Sequence, residues 1–302
     1  MTQWVEGSVV NLRQWTEELF SLQVRADIAP FIAGQFTRIA LEIGGEIIAR
    51  PYSFVNAPDN PVLEFYFITV PSGPLSHELI HLNPGDHILV APRAAGYFTL
   101  KELPDAEHLW MLATGTAIGP FLSILGTDEV WERFRHIILV HSVRTARELT
   151  YQDTLGRFLE QHPEQLQVIP MVSRETVGHA LGGRITQAIE EGLLEARAAL
   201  SLDPATSQVM ICGNPAMVHD TTHLLKSADS GRTGAANRAT SPPNNTGRSR
   251  TWRNRPLRPD RQSAAGNTLK NSSNWLVACR SGTQSGRSKQ QILPSGLIRD
   301  RI

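Results

Sequence analysis

Arg50-Pro51-Tyr52-Ser53 sets a guanidinium, an aromatic ring and a hydroxyl at the end of an alternating apolar stretch. A fixed guanidinium can grip a phosphate through two N–H groups. A ring two positions on lies on the same face of a strand, beside whatever that phosphate belongs to, and the Ser53 hydroxyl can donate to a ring heteroatom. A second stretch, Leu112 to Pro120 (LATGTAIGP), follows a continuous apolar run and opens a helical pattern. Gly115 and Gly119 allow backbone to approach a ligand, and a helix N-terminus favours a phosphate anion. The spacing is neither GxGxxG nor a Walker loop. A third, Cys212-Gly213-Asn214-Pro215, places a soft thiol at a strand end, where it can pack against a flat ring; most free cysteines are simply small buried hydrophobes. A fourth, Val172-Ser173-Arg174 with Arg184 ten residues on, supplies a hydroxyl and two guanidiniums suited to a terminal phosphate monoester. Val143-Arg144 ends the preceding strand pattern in the same way. Each of these arginines taken singly reads as a solvated surface charge; their recurrence at successive strand ends is what gives them weight.

Two kinds of element must position these residues. Residues 1–100 read as β, with short apolar segments at Ser8–Leu12, Leu19–Val24, Phe36–Ile43, Ile47–Val55, Leu63–Val70 and His87–Ala91. Gly44-Gly45 marks a hairpin, and regularly spaced short strands of this kind predict an antiparallel barrel or sandwich. Leu75–Leu82 is closer to helical spacing. After a charged, proline-bearing boundary near Lys101–Asp105, residues 106–226 alternate strands (Leu109–Ala113, Ile137–His141, Leu166–Val172, Gln208–Cys212) with helices (Gly119–Leu125, Gln152–His162, Arg184–Gly192, Ala216–Lys226). That alternation predicts a doubly wound parallel sheet, whose ligands bind at the carboxyl ends of its strands.

The formal net charge of zero is a cancellation. Residues 1–226 carry 15 basic and 26 acidic side chains, and residues 227–302 carry 14 and 3. The last segment is rich in Gly, Ser, Arg and Asn and loses all periodicity, so it is expected to be a disordered basic tail. Its abrupt start fits a frame-shifted ending as one reading and a functional basic tail as another. The tail has no RNA-binding motif, and Trp252 and Trp275 are too sparse to form a stacking platform, so nucleic acid is not an expected partner. No apolar run is long enough to span a membrane. The N-terminus has no signal-peptide pattern, so a cytoplasmic location is expected. Two cysteines, Cys212 and Cys279, cannot make a disulfide framework or a four-cysteine zinc site. His219 and His223 lack a third ligand, and no metal is expected. Gly-x-Ser-x-Gly is absent, which removes one route to a serine nucleophile.

The order of these motifs resembles the ferredoxin/flavodoxin–NADP reductases, in particular their short bacterial subclass. The resemblance spans residues 3 to about 226 and rests on Arg50 to Ser53, Glu64 to Val70, Gly96-Tyr97-Phe98, Trp110 to Phe121, Val172 to Glu175 and Met210 to Pro215. It implies an N-terminal six-stranded antiparallel β-barrel holding FAD and a parallel-sheet domain holding NADP(H). Arg50, Pro51, Tyr52 and Ser53 then contact FAD, with Arg50 on the pyrophosphate, Tyr52 stacked on the isoalloxazine and Ser53 near flavin N5. Tyr66, Phe67 and Ile68 match a second FAD-contacting strand. Pro74, Leu75 and Ser76 match the turn that receives the pyrophosphate, although Pro74 brings no N–H there. Thr116 matches the residue between flavin and nicotinamide. Val143, Arg144, Ser173, Arg174 and Arg184 match NADP-binding positions, as do Asn214, Pro215 and Asp220. Cys212 matches the cysteine near the nicotinamide and, with Ser53, is implied to serve the hydride transfer.

The implied activity exchanges hydride with NADP(H) and single electrons with ferredoxin or flavodoxin, in a chain expected to be monomeric. Two alternatives stand beside it. One is an NADPH-dependent flavin or diaphorase-type reductase without a dedicated protein partner. The other is a weakly flavinated, non-catalytic binding protein, because the family's own C-terminal ending, with its flavin-contacting aromatic pair, is not matched after Leu225-Lys226.

Overall fold

The computed structural model describes residues 3–239 and 276–280. Alternating apolar positions in the first hundred residues produce β1 (Val5–Gln14), β2 (Leu19–Arg25), β3 (Phe36–Ile43), β4 (Glu46–Ser53) and β5 (Leu63–Ile68), then α1 (Pro74–Leu79) and β6 (His87–Val90). The strands form one antiparallel sheet in the order β4-β3-β6-β1-β2-β5. A bridge between Phe54 and Phe65 joins the two end strands and closes the sheet into a barrel. This closure ends β4 at Ser53, short of the expected Val55: Phe54 leaves the ladder with β3 and turns toward β5, and the Val55 N–H donates to the Glu64 carbonyl at 2.9 Å. Gly44 and Gly45 make the expected hairpin with φ of 62° and 84°, values that favour glycine. Inward-facing Leu22, Ile39, Phe54, Phe65 and Val90 are fully buried in the barrel.

The second half alternates as expected. It runs β7 (His108–Thr114), α2 (Ile118–Leu125), α3 (Asp128–Arg133), β8 (His136–Val143), α4 (Gln152–Gln161), β9 (Leu166–Val172), β10 (Leu181–Gly182), α5 (Ile185–Glu190), α6 (Leu193–Ala198), β11 (Ser207–Gly213), α7 (Pro215–Ala239) and β12 (Leu276–Arg280). The parallel sheet has the order β10-β9-β8-β7-β11-β12. Alternation along each strand gives two faces. Leu109, Met111, Ala113, Leu139, Met210 and Cys212 pack toward α2 and the barrel, whereas Trp110, Leu112, Val140, Val209 and Ile211 pack toward α5 and α7.

The sequence pattern misses α3, β10 and α6, which span six, two and six residues and are too short for a periodic signal. Two parts of the segment expected to be an unstructured tail are regular. The last helix continues from Lys226 to Ala239. Leu276–Arg280 pairs in parallel with Val209–Gly213 and supplies the edge strand. The apolar run Leu276 to Cys279 was the available signal for that strand. The rest of the expected disordered tail, Trp252 and Trp275 included, lies outside the described residues.

Candidate active site

In an open parallel sheet the binding crevice opens where successive connections leave in opposite directions. Here the chain runs outward from β7 through β8 and β9 to β10, then returns to place β11 on the other side of β7. The crevice therefore lies between the carboxyl ends of β7 and β11, at Thr114 and Gly213. These ends are tied together: Thr114 Oγ1 accepts the Asn214 N–H at 2.9 Å. Gly213 has φ of 150°, and a Cβ there would stand 2.0 Å from Thr114 Oγ1, so the close approach requires glycine. Asn214 Oδ1 in turn accepts the Ala216 N–H at 2.9 Å, capping α7 with Pro215 at its first position.

Thr116 sits half-buried in the tight turn Gly115–Ala117 that joins β7 to α2. Gly115 opens the turn with φ of 55° and free space at its Cβ position. Beneath it, the fully buried His141 donates its Nε2–H to the Gly115 carbonyl at 3.1 Å. Burial lowers the His141 pKa to about 4 and keeps the ring neutral, and its Nδ1 has no hydrogen-bond partner among the described residues. Strand register places His141, Ala113, Cys212 and Cys279 in one lateral row on the barrel-facing side of the sheet. The resemblance singles out Cys212. Cys279, expected to be an incidental thiol in an unstructured tail, is instead its buried neighbour. The nearby Cys279 thiol, together with burial, pushes the Cys212 pKa well up, so Cys212 is a protonated, packed thiol and not a poised nucleophile.

The barrel meets this turn from the other side. Strand β5 touches residues 115–117. A Cβ on Gly119 would lie 3.2 Å from Val55 Cγ2, and Ser123 Oγ donates to the Asn56 carbonyl at 2.7 Å. The end of β4, with Arg50, Pro51, Tyr52 and Ser53, therefore leads directly into the contact with α2. Tyr52 packs edge-on to Phe67 with ring centroids 5.9 Å apart, and burial raises its pKa to about 12. Arg50 is exposed and held by a 2.8 Å bond from Nη1 to the Ala49 carbonyl.

The remaining candidates fall into distinct groups. Phe67 points into the barrel core, stacked on Phe20, so it can meet a ligand mainly through its backbone. Tyr66 points the other way, into the seam between barrel and sheet, and Ile68 is half-buried. Leu75 is a core residue. The Ser76 hydroxyl is committed to its own turn, accepting the Val70 N–H and donating to the Gly73 carbonyl. What Leu75 and Ser76 can offer an anion is therefore backbone N–H at the first turn of α1; Pro74, at the first helical position, has none.

On the parallel sheet, Ser173 N–H and Oγ both donate to the Val143 carbonyl, and Arg174 N–H donates to the Arg144 carbonyl at 2.9 Å. Gly182 registers beside Val172, which puts Arg184 and Arg174, each two residues further on, at the same corner. Asp220 lies on the exposed face of α7, 3.0 Å from His219. Among the described residues, Arg50, Arg144, Arg174 and Arg184 are all exposed and none pairs with a carboxylate. His141 carries no motif and becomes visible only through strand register; Thr114 lies within the Leu112 to Pro120 stretch, but its bond to Asn214 joins residues a hundred positions apart and shows only in the fold.

These residues fit a flavin and a nicotinamide dinucleotide. Exposed guanidiniums without a carboxylate partner among the described residues stand on both sheets, a half-buried Tyr ring lies at the barrel end, and a glycine cradle that a Cβ would fill lies at the sheet crevice. Residues 111–223 match the oxidoreductase NAD-binding domain family. The chain is 51% identical over 221 residues to the flavodoxin/ferredoxin–NADP reductase of Shigella flexneri, a match covering 73% of this chain and 89% of that protein. It is 50% identical over 221 residues to the Escherichia coli K12 protein of the same name, with the same coverage of 73% and 89%. Among solved structures, a ferredoxin NADP+ reductase from Neisseria gonorrhoeae with bound FAD and NADP superposes with a TM-score of 0.71 at 33% identity, covering 75% of this chain and 92% of that one.

Proposed function

Because the chain belongs to the flavodoxin/ferredoxin–NADP reductase family, we propose that it exchanges hydride with NADP(H) and passes single electrons to or from ferredoxin or flavodoxin, using FAD held on the barrel. Bound FAD supplies the conversion between two-electron hydride chemistry and one-electron transfer. The protein contributes binding, orientation and exclusion of water.

Arg50 neutralises the FAD pyrophosphate beside the first-turn N–H groups of Leu75 and Ser76. Tyr52 gives the flavin a flat apolar wall that Phe67 keeps from rotating, and Ser53 presents a hydroxyl at the strand end nearest the α2 contact. Val143, Arg144, Ser173, Arg174 and Arg184 receive the adenosine end of NADP(H). Their guanidiniums favour a coenzyme carrying a 2′-phosphate. Asn214, Pro215 and Asp220 border the crevice where Gly213 lets the nicotinamide approach. Thr116 and Cys212 bound that approach from the turn and from the sheet floor. Cys212 serves as a polarizable packing surface, not as a nucleophile, because its thiol stays protonated.

The chain works as a monomer in the cytoplasm with two units, residues 1–100 and residues 106–239 together with the edge strand Leu276–Arg280; no helix among the described residues is long and apolar enough to cross a membrane. The observation that carries the reading is the set of four exposed, unpaired arginines at strand ends of both sheets. The test is rapid mixing of the FAD-loaded protein with NADPH, followed by addition of a ferredoxin or flavodoxin. Bleaching of the flavin band and reduction of the carrier are expected. Bleaching without any carrier reduction would leave a flavin reductase with no protein partner, and the absence of flavin uptake would overturn the enzymatic reading.

A further inference from the structure

The seam between barrel and sheet holds a polar and aromatic network that the proposed function leaves unused. Thr150 Oγ1, from the loop before α4, donates to Tyr66 OH on β5 at 2.8 Å, and both residues are buried. The next residue, Tyr151, donates its hydroxyl to Glu64 Oε1 on the same strand at 2.6 Å. The other Glu64 oxygen accepts from Gln23 Nε2 at 3.2 Å. The two tyrosine rings meet nearly at right angles with centroids 5.1 Å apart. Trp15, just past the end of β1, packs on Tyr151 at 4.7 Å and is covered by the Arg13 guanidinium 3.6 Å from its ring. Trp15 Nε1 donates to Ser21 Oγ at 3.1 Å, which fixes the indole.

Tyr151 holds a left-handed backbone, with φ of 59° and ψ of 25°. A bulky residue rarely adopts that conformation, and it persists where the surroundings over-determine it. Here the surroundings are the barrel: the turn aims the phenol out of the loop and into β5. Burial pushes both phenols well above the usual tyrosine range, so both stay protonated at ordinary pH, Tyr66 accepting from Thr150 and Tyr151 donating to Glu64.

The two ends of this network lead straight to the two halves of the site. Thr150 and Tyr151 close the loop that begins at Arg144, the residue at the end of β8. Glu64 and Tyr66 belong to β5, which runs on to Ile68 and touches the Gly115–Ala117 turn.

We infer that Tyr151 is a positioning residue: with Thr150, Glu64 and Tyr66 it clasps the parallel sheet to the barrel and sets the approach of the nicotinamide to the flavin. The inference rests on the proposed hydride transfer. Transfer rates depend steeply on the separation and alignment of the reacting atoms, and a misplacement of about 1 Å can cost roughly a hundredfold. A clasp across the seam between barrel and sheet controls that separation without touching either ring.

The test compares Tyr151→Phe, which keeps the ring and removes the donor, with Thr150→Val and Glu64→Gln. Amide hydrogen exchange on protein without added NADPH should accelerate at residues 63–68 and 149–152 in Tyr151→Phe, and stay unchanged in β9. In rapid mixing, the limiting rate of flavin reduction should fall about tenfold to hundredfold. The NADPH concentration giving half that rate should hold near the parent value, and the long-wavelength absorption of nicotinamide stacked on flavin should weaken. Thr150→Val should move the same readouts in the same direction. Glu64→Gln, which keeps an acceptor for the Tyr151 hydroxyl, should retain most of the parent rate. Unchanged exchange and an unchanged limiting rate in Tyr151→Phe would overturn the clasp. A parent protein that NADPH does not reduce would overturn the proposed function instead, and the exchange measurement would still decide whether the seam is held as described. If Tyr151→Phe does not fold, Thr150→Val decides by the same two readouts.

Discussion

At the scale of single residues, charge without a partner separates functional arginines from structural ones. Arg133 donates to the Leu100 carbonyl and lies within 3.7 Å of Asp105; it fastens the segment between the two sheets. Arg174 and Arg184 have no such engagement among the described residues, yet strand register gathers them at one corner. A charge-assisted hydrogen bond to a phosphate contributes about 1.5–3 kcal/mol. Replacing either arginine by Ala should therefore weaken NADPH roughly tenfold to a hundredfold and leave NADH nearly unaffected, as measured by the coenzyme dependence of flavin reduction. Equal losses for both coenzymes would remove the 2′-phosphate from their role. These arginines were legible in the sequence because they recur at strand ends. His141 was not, because a buried histidine in an apolar strand looks like ordinary core until the partner across the sheet is known, and the role of Thr114 within its motif likewise needs the contact with Asn214.

Among the elements, the long strands were readable and the short pieces were not. Phe36–Ile43 and Leu166–Val172 have the expected bounds to the residue, since apolar and β-branched residues recur through each and polar turns flank them. The end of β4 was misplaced because barrel closure, a contact between residues far apart in sequence, redirects Phe54. The edge strand β12 was overlooked because composition was averaged over a long polar segment in which Leu276 to Cys279 is a brief apolar exception. Its placement has a direct chemical check. Neighbouring strands lie about 4.8 Å apart, within the Cα separation a disulfide tolerates, and Cys212 and Cys279 are in register. Oxidation by a copper–phenanthroline catalyst should link them, and peptide mapping without reductant should recover the joined peptide. Recovery of two separate thiol peptides under conditions that cross-link exposed thiols would argue against the register. Because the neighbouring Cys279 thiol and burial keep Cys212 from ionising readily, the link should form slowly.

For the whole molecule, stability should depend on pH through the histidine beneath the Gly115 turn. The His141 pKa falls from 6.5 to about 4 in the folded protein, so between those values the unfolded chain binds more protons. Stability therefore rises with pH through that window and is lost as pH drops from 6.5 toward 4; the difference is on the order of 3 kcal/mol. His108, also lowered by burial, acts in the same direction. Urea unfolding at pH 7 and pH 4.5 should show the loss, and His141→Asn should show a shallower one; identical slopes in both proteins would assign the acid sensitivity elsewhere.

The strand order carries one more consequence, for the growing chain. Every strand of the barrel, and every neighbour of β7 and β8, has been synthesised once Gly213 is complete, but the partner of β11 on its outer side comes only with Leu276–Arg280. Until then the backbone of Val209–Gly213 borders the nascent fold as an open row of amide and carbonyl groups. Such a row can template pairing with another chain. During translation, then, an open edge of this protein runs directly beside its coenzyme crevice until Leu276–Arg280 pairs there.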